Sequence, residues 1–202
     1  MHKVLRTLIL SDLFIIGSFG LIQPIFAVFM LRQIGDATLA SVGLALSIAL
    51  FTKGLFQILV GRFDDEERGN RRELYTLTVG SILISLTPLG YLFAQSSLHV
   101  YLTQFLYGIG MALSYPSWRV MFTRYLRHDK EGYEWSLYDT IVSLVTAGAA
   151  AMGAVIAEQY SFNFLFISVA ALSLVGTAFI VHMFREEFTT LGQDTKKARR
   201  RR

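Results

Sequence analysis

Polar and ionisable side chains stand inside long apolar segments of this sequence. Asp12 and Gln23 are eleven residues apart, close to three helical turns, so they share one face of a helix. Lys53 lies eight residues before Gly61, roughly 12 Å along a helix, and Gln57 follows one turn later on the same face. Ionisable groups in a bilayer are costly and usually face protein or a watery cavity. We interpret these four side chains as candidate contacts for a solute or an ion.

A polar stripe runs along a later apolar segment. It recurs at every third or fourth position and consists of Gln104, Tyr107, Met111, Tyr115 and Trp118 or Arg119. Such a face is not suited to lipid. We interpret it as the wall of a cavity, and hydrogen bonding between helices of a bundle is the alternative.

Less specific explanations stay open for the charged residues. Asp12 lies barely one turn inside its apolar segment, where it could reach headgroup water. Lys53 could extend along its own helix to the membrane surface. Asp139, near the beginning of another apolar segment, could carry a proton, and so could Asp12. A carboxylate near a helix end is a weak indication of that role.

Recognisable catalytic chemistry is missing from the sequence. It has no cysteine, no pair of histidines at metal-ligand spacing and no Gly-x-Ser-x-Gly elbow. His99 and His128 fall on opposite predicted sides of the membrane. We therefore predict that the protein is not an enzyme and that it has no metal site and no cofactor. Coupling to a proton or sodium gradient stays open.

The composition is that of a membrane protein. The 202 residues are 53% hydrophobic and 17% charged, with a mean hydropathy of +0.46. A helix needs about 20 apolar residues to cross the hydrocarbon core. The sequence predicts an all-α membrane protein with six transmembrane helices, over residues 8–31, 39–60, 74–94, 98–122, 137–157 and 162–184. We expect the third and sixth spans to face lipid most.

The lysines and arginines predict the orientation of these spans. Of the 19, 17 fall toward one side of the membrane, Arg32 alone lies in the loops of the opposite side, and Lys53 lies inside the second span. Positive residues in short loops stay cytoplasmic, so both termini are predicted in the cytoplasm and the protein in the cytoplasmic (inner) membrane. Because topology explains the net charge of +4, we predict no nucleic-acid partner.

The end of the chain differs in composition from the rest. Residues 1–188 are predicted to form the transmembrane domain, and residues 189–202 a basic, disordered cytoplasmic tail. A basic tail of this kind anchors the topology and is attracted to anionic lipid. A specific partner for the tail is the alternative.

A short charged segment, residues 61–72, joins the second and third spans. It contains Gly61 and Asp65, followed after extra length by Gly69, Arg71 and Arg72. This spacing resembles the loop signature of the major facilitator superfamily, and six helices with both ends inside resemble one half of such a transporter. The resemblance implies that these five residues form a cytoplasmic gate.

Two further stretches narrow the resemblance. The segments PSWRVMFTRYL and EWSLYDT, residues 116–126 and 134–140, resemble short six-helix prokaryotic members of this family. Gln104 stands where the family's drug-and-proton antiporters have an arginine, and the glycine-rich fifth span lacks their proline. Drug–proton antiport is therefore not favoured.

The resemblance also implies an assembly. Familiar members have two halves with the substrate between them near the midplane, so a chain resembling one half implies a homodimer. The second span of each chain would pack on the partner's fifth, where Lys53 could reach Asp139. The small residues predicted to pack at this interface are Gly148, Ala150, Gly153 and Ala154.

From these features we predict a secondary active transporter of a small polar or amphipathic solute, working as a homodimer by alternating access. Its predicted partners are a second copy of itself, the small-molecule substrate and the lipid bilayer. The predicted substrate or ion pathway consists of Asp12, Gln23, Lys53, Gln57, Gln104, Tyr107, Tyr115, Arg119 and Asp139. The alternatives are one half of a heteromeric split transporter, or a non-transporting membrane scaffold or lipid-binding protein.

Overall fold

The structure is a computed structural model that describes residues 2–65 and 71–200, with side chains as far as residue 185. The described chain is helical and has no strand. Its elements are α1 (Lys3–Gly20), a short 3₁₀ helix (Gln23–Ile25), α2 (Phe26–Gln33), α3 (Leu39–Asp65), α4 (Arg71–Leu92), α5 (Ser97–Arg124), α6 (Glu131–Gln159) and α7 (Phe162–Arg200). Gly69 of the predicted gate lies outside the described residues. α7 includes most of the predicted basic tail, whose side chains lie outside the described part.

The first apolar segment is interrupted at Pro24. α1 ends at Gly20, and α2 begins two residues after the proline. Proline has no backbone N–H, and its ring clashes with the preceding turn, so an α-helix cannot continue through it undisturbed. Hydrogen bonds of the 3₁₀ type, from residue i to residue i−3, replace the α-helical bonds there. Ile22 N–H donates to the Phe19 carbonyl, and Ile25 N–H donates to the Ile22 carbonyl, both at 3.0 Å. The proline therefore divides the first apolar segment into two α-helices.

Five helical segments of the described chain are long and apolar enough to cross a membrane. They are Lys3–Gln33, counted through the break, Leu39–Asp65, Arg71–Leu92, Glu131–Gln159 and Phe162–Arg185. α5 has sufficient length at 28 residues but is not among them, because its polar stripe lowers its hydropathy. The protein is an integral, multi-pass membrane protein by these criteria, and the sixth span stays a prediction.

The helices pack side by side in the spatial order α3, α5, α4, α7, α1 and α6. α3 and α6 therefore stand at the two ends of the row. The central helices approach closely because small residues line their contacts: a Cβ atom on Gly80 of α4 would lie 2.6 Å from the Gly110 carbonyl oxygen of α5. Ser85 of α4 and Thr177 of α7 are hydrogen-bonded at 2.8 Å.

The prediction that the third and sixth spans face lipid most is wrong. These spans correspond to α4 and α7, which lie inside the row and bury about half of their membrane-spanning residues, 50% and 44%. α3 and α6 bury only 22% and 6%. The small and hydroxyl side chains of α4 pack against two neighbours, whereas each end helix packs mainly on one.

Gly153 packs against the backbone of its own protomer. It is buried, and a Cβ atom at this position would collide with the backbone of Leu21, at the end of α1. The glycine lets α6 approach the turn before Pro24. The prediction that Gly153 packs against a second copy is therefore corrected. A Cβ atom on Gly148 would meet nothing within 4 Å, and the packing of Gly148, Ala150 and Ala154 against a second copy stays a prediction.

Candidate functional site

A cavity of about 670 Å³, here called the central cavity, lies between α1, α3, α5 and α6. Eight of the nine predicted pathway residues line it: Asp12, Gln23, Lys53, Gln104, Tyr107, Tyr115, Arg119 and Asp139. Gln57 is half-buried and does not line the cavity. The bend at Pro24 turns Gln23 into the lining, and the polar stripe of α5 forms one wall. The end helices α3 and α6 supply Lys53 and Asp139.

Tyr138 holds Asp12 at one wall of the cavity. Asp12 is 8% exposed, and the Tyr138 hydroxyl donates a hydrogen bond to its Oδ2 atom at 2.7 Å. The Tyr138 ring packs against Trp118 and Phe122, with centroid distances of 4.8 and 5.1 Å. This buried bond ties α1 to α6. Sequence reasoning missed Tyr138, whose only signal was its place beside Asp139.

Two cations of the cavity share one aromatic ring. The Lys53 ammonium lies 3.9 Å from the centroid of the Tyr115 ring, and the Arg119 guanidinium lies 4.4 Å from it. Each contact contributes about 0.5–1 kcal/mol where the side chains are exposed. α3 and α5 are thereby joined at this level of the bundle, and two positive charges are brought close together.

The remaining lining of the cavity is apolar and aromatic, with polar atoms set into it. Phe19 and Tyr107 stack with a centroid distance of 5.3 Å. Gln104 and Trp118 are 3% and 6% exposed. Among the described residues, neither the Oε1 atom of Gln104 nor the indole Nε1 atom of Trp118 has a hydrogen-bond partner. Such atoms are costly to bury without one.

The cavity is equipped for binding. Its charged lining residues are two cations, Lys53 and Arg119, and two carboxylates, Asp12 and Asp139. Carboxylates in such a place can exchange a proton, and the cations can hold an anionic group. Within the part of the chain whose side chains are described, no group of three His, Asp or Glu residues is placed to hold a metal ion.

A second polar cluster, the Asp64 cluster, lies where α3 ends and consists of Asp64, Thr76 and Ser117. The Asp64 carboxylate is buried, and it accepts hydrogen bonds from Ser117 Oγ at 2.7 Å and from Thr76 Oγ1 at 3.0 Å. The two hydroxyls are themselves 2.7 Å apart. The cluster therefore joins α3, α4 and α5 through one buried carboxylate.

Sequence reasoning assigned the neighbouring acid, Asp65, to the cytoplasmic gate. Asp65 matches the family spacing, but its side chain is exposed. One residue corresponds to a rotation of about 100° around a helix. Relative to Val42, which faces the α3 packing surface, Asp64 is turned by about 40° and Asp65 by about 140°. The small buried residues of α3 were the signal that separates the two acids.

Ion pairs surround the Asp64 cluster at the same end of the bundle. Arg124 of α5 contacts the buried Glu73 of α4 at 2.7 Å. Glu134 of α6 accepts bonds from Arg127, from its side-chain Nε atom at 2.7 Å and its backbone N–H at 3.1 Å. These contacts fix the beginning of α4 and the turn from α5 to α6.

The other described residues of the predicted gate differ in their contacts. Arg72 donates to the Phe63 carbonyl at 2.9 Å and lies over the Phe63 ring, so it secures the beginning of α4 to the end of α3. A Cβ atom on Gly61 would meet nothing within 4 Å. Arg71 is exposed at the first position of α4. The gate role of the motif stays a prediction.

Comparison with known proteins assigns the chain to a family without pointing to a substrate. The search of curated proteins finds no match. The family model described as the Major Facilitator Superfamily matches residues 8–202, nearly the whole length. The match covers nearly all of the helical chain, including the lining of the central cavity and the Asp64 cluster. The chain therefore belongs to the major facilitator superfamily of membrane transporters.

Proposed function

We propose that the protein is a secondary active transporter of a small polar or amphipathic solute. The central cavity is the main support, because ionisable side chains are costly in a bilayer and are usually kept there for function. Its wall combines charged groups with aromatic surface such as Phe19 and Tyr107, which suits a solute of mixed character. Membership of a transporter family agrees with this proposal.

We propose further that two copies work together by alternating access. The end helices carry large exposed apolar side chains, including Phe51 and Leu50 on α3 and Leu144 and Met152 on α6. In a two-fold dimer, α3 of one copy would pack on α6 of its partner and enclose the cavity. Rocking of the two copies would then open the cavity to each side in turn.

The proposed topology has six spans, with both termini cytoplasmic in the cytoplasmic (inner) membrane. Because the sequence has no cysteine, single cysteines can be introduced at will. Ser96 and Lys130 flank α5. We expect a membrane-impermeant maleimide to label Ser96→Cys in intact cells and Lys130→Cys only after lysis. Labelling of both variants from outside, or of both only after lysis, would contradict a membrane-spanning α5.

Transport itself is tested with purified protein in liposomes on a solid-supported membrane. Concentration jumps of organic acids, amines and sugars are expected to give a saturable current for at least one class. Lys53→Ala should lower that current about tenfold, the effect of about 1.4 kcal/mol of lost binding energy. The matched control is Lys130→Ala, which removes an exposed lysine outside the cavity.

The rival functions give different results in the same preparation. If stable protein gives no current for any solute and retains bound lipid, a lipid-binding or scaffold role is favoured and transport is rejected. Native mass spectrometry of the wild type distinguishes the assemblies. Two identical chains support the homodimer, whereas a second, different chain from native membranes supports a split transporter.

A further inference from the structure

Lys53 and Arg119 are the two cations in the lining of the central cavity. Among the described side chains, neither has a carboxylate within ion-pairing distance, 4.0 Å. Both instead share the Tyr115 ring. Like charges this close repel each other, most strongly where water is scarce. Their contacts with the ring offset only part of this repulsion. An anion between them would relieve the rest.

Unpartnered polar atoms in the same cavity also point to a ligand. Trp118, next to Arg119 in sequence, is 6% exposed, and its indole N–H is without an acceptor among the described residues. An indole N–H can only donate, so it suits a negatively charged oxygen. Gln104, 3% exposed, lies fifteen residues before Arg119, roughly 22 Å away along α5. That distance is beyond the reach of a small solute held at Arg119, so Gln104 lies apart from the two cations.

The two carboxylates of the cavity are placed differently from the cations. Asp12 is buried and accepts the bond from Tyr138. Asp139 lines the cavity from the exposed face of α6. Neither is within ion-pairing distance of Lys53 or Arg119 in the described protomer. The Tyr115 ring therefore holds two cations that have no carboxylate within ion-pairing distance among the described side chains, while the region around Phe19 and Tyr107 is aromatic.

We infer that the solute carried by the central cavity is an organic anion with an apolar body. Its acidic group, a carboxylate or a phosphate, binds between Lys53 and Arg119 and accepts a bond from the Trp118 indole. Its body extends along α5 toward the aromatic wall. This inference rests on the proposed transport function, and it adds the charge and shape of the substrate.

The test compares three ligands of one skeleton: 3-phenylpropionate, 3-phenylpropionamide and 3-phenylpropylamine. The sequence has two tryptophans, Trp118 and Trp135, and both line the cavity, so intrinsic fluorescence reports binding directly. We expect the wild type in nanodiscs to bind the carboxylate at least about tenfold more tightly than the amide or the amine. Equal binding of all three, preference for the amine, or binding of none would overturn the inference.

Removing the charge of Lys53 or of Arg119 tests whether the carboxylate binds between them. Lys53→Gln and Arg119→Gln should each weaken binding of 3-phenylpropionate about tenfold without changing binding of the amide. Lys53→Arg should retain most of the affinity. Arg62→Gln, on the exposed side of α3, is the matched control and should bind as the wild type does. If Lys53→Gln instead separates the dimer and leaves binding intact, the lysine serves the interface and the inference is wrong.

Two further arms separate the remaining explanations. Nanodiscs of phosphatidylcholine with and without phosphatidylglycerol distinguish a soluble anion from a lipid headgroup. Binding that anionic lipid abolishes would assign the site to lipid and overturn the inference. Flux of a neutral or cationic solute in liposomes would keep the transport function and reject the anion. Binding of 3-phenylpropionate without flux of any solute would support the anion site and reject the transport function.

Discussion

Gly80→Ala is expected to lower the free energy of unfolding by about 1–3 kcal/mol, although it adds a single methyl group. The added Cβ atom would lie 2.6 Å from the Gly110 carbonyl oxygen and 2.6 Å from the Ser114 backbone nitrogen. Backbone atoms of a packed helix cannot rotate away as a flexible side chain can. α4 and α5 would have to separate, and unfolding in a detergent titration followed by tryptophan fluorescence measures the loss.

Gly132→Ala is the matched control for this variant. Gly132 is exposed in the first turn of α6, and a Cβ atom there would meet nothing within 4 Å. Alanine is favoured over glycine in a helix by roughly 0.5–1 kcal/mol, so stability should be unchanged or slightly higher. The close approach of α4 and α5 would be contradicted if both alanine variants changed stability by the same amount and sign.

Ser117→Ala is expected to have the second large effect, a loss of about 1–3 kcal/mol in the free energy of unfolding. The substitution removes the shorter of the two hydroxyl bonds to the buried Asp64 carboxylate, the one of 2.7 Å. The carboxylate would keep Thr76 as its partner at 3.0 Å. Thermal unfolding of the purified variant, monitored by tryptophan fluorescence, measures the loss.

Two comparisons assign this loss to the carboxylate. Ser11→Ala removes an equally buried serine whose hydroxyl is bonded to its own helix, at the Leu8 carbonyl, and it should cost much less. In an Asp64→Leu background, Ser117→Ala should also cost little, because no carboxylate is left to lose a donor. Equal losses in all three cases would show that Asp64 does not depend on Ser117.

Local features of the chain could be predicted from the sequence because their causes are local. Pro24 lacks a backbone donor wherever it stands, so the kink in the first span follows from the residue itself. The stripe from Gln104 to Arg119 reaches one cavity because its spacing matches the helical repeat. Lys53 joins it because a charge in an apolar segment needs a polar environment.

Features that depend on which helices are neighbours could not be predicted in the same way. The packing of α4 and α7 in the middle of the row depends on contacts such as that between Ser85 and Thr177, which are 92 residues apart. The use of Gly153 depends on its meeting the backbone of Leu21. Asp64 and Asp65 are adjacent, and only the direction in which α3 packs separates them. Tertiary contacts determine these features.

The polar character of α5 has a consequence for how the protein is made. The other segments are apolar enough to leave the translocation channel for lipid one at a time, whereas α5 carries Gln104 and Ser117, which lipid cannot satisfy. In the proposed six-span topology, α5 would enter the bilayer against an already inserted α3 and α4, whose Asp64 and Thr76 receive Ser117. Assembly and insertion would then be one event for this helix, and a separation of α4 from α5, as in Gly80→Ala, would act while the chain is being synthesised.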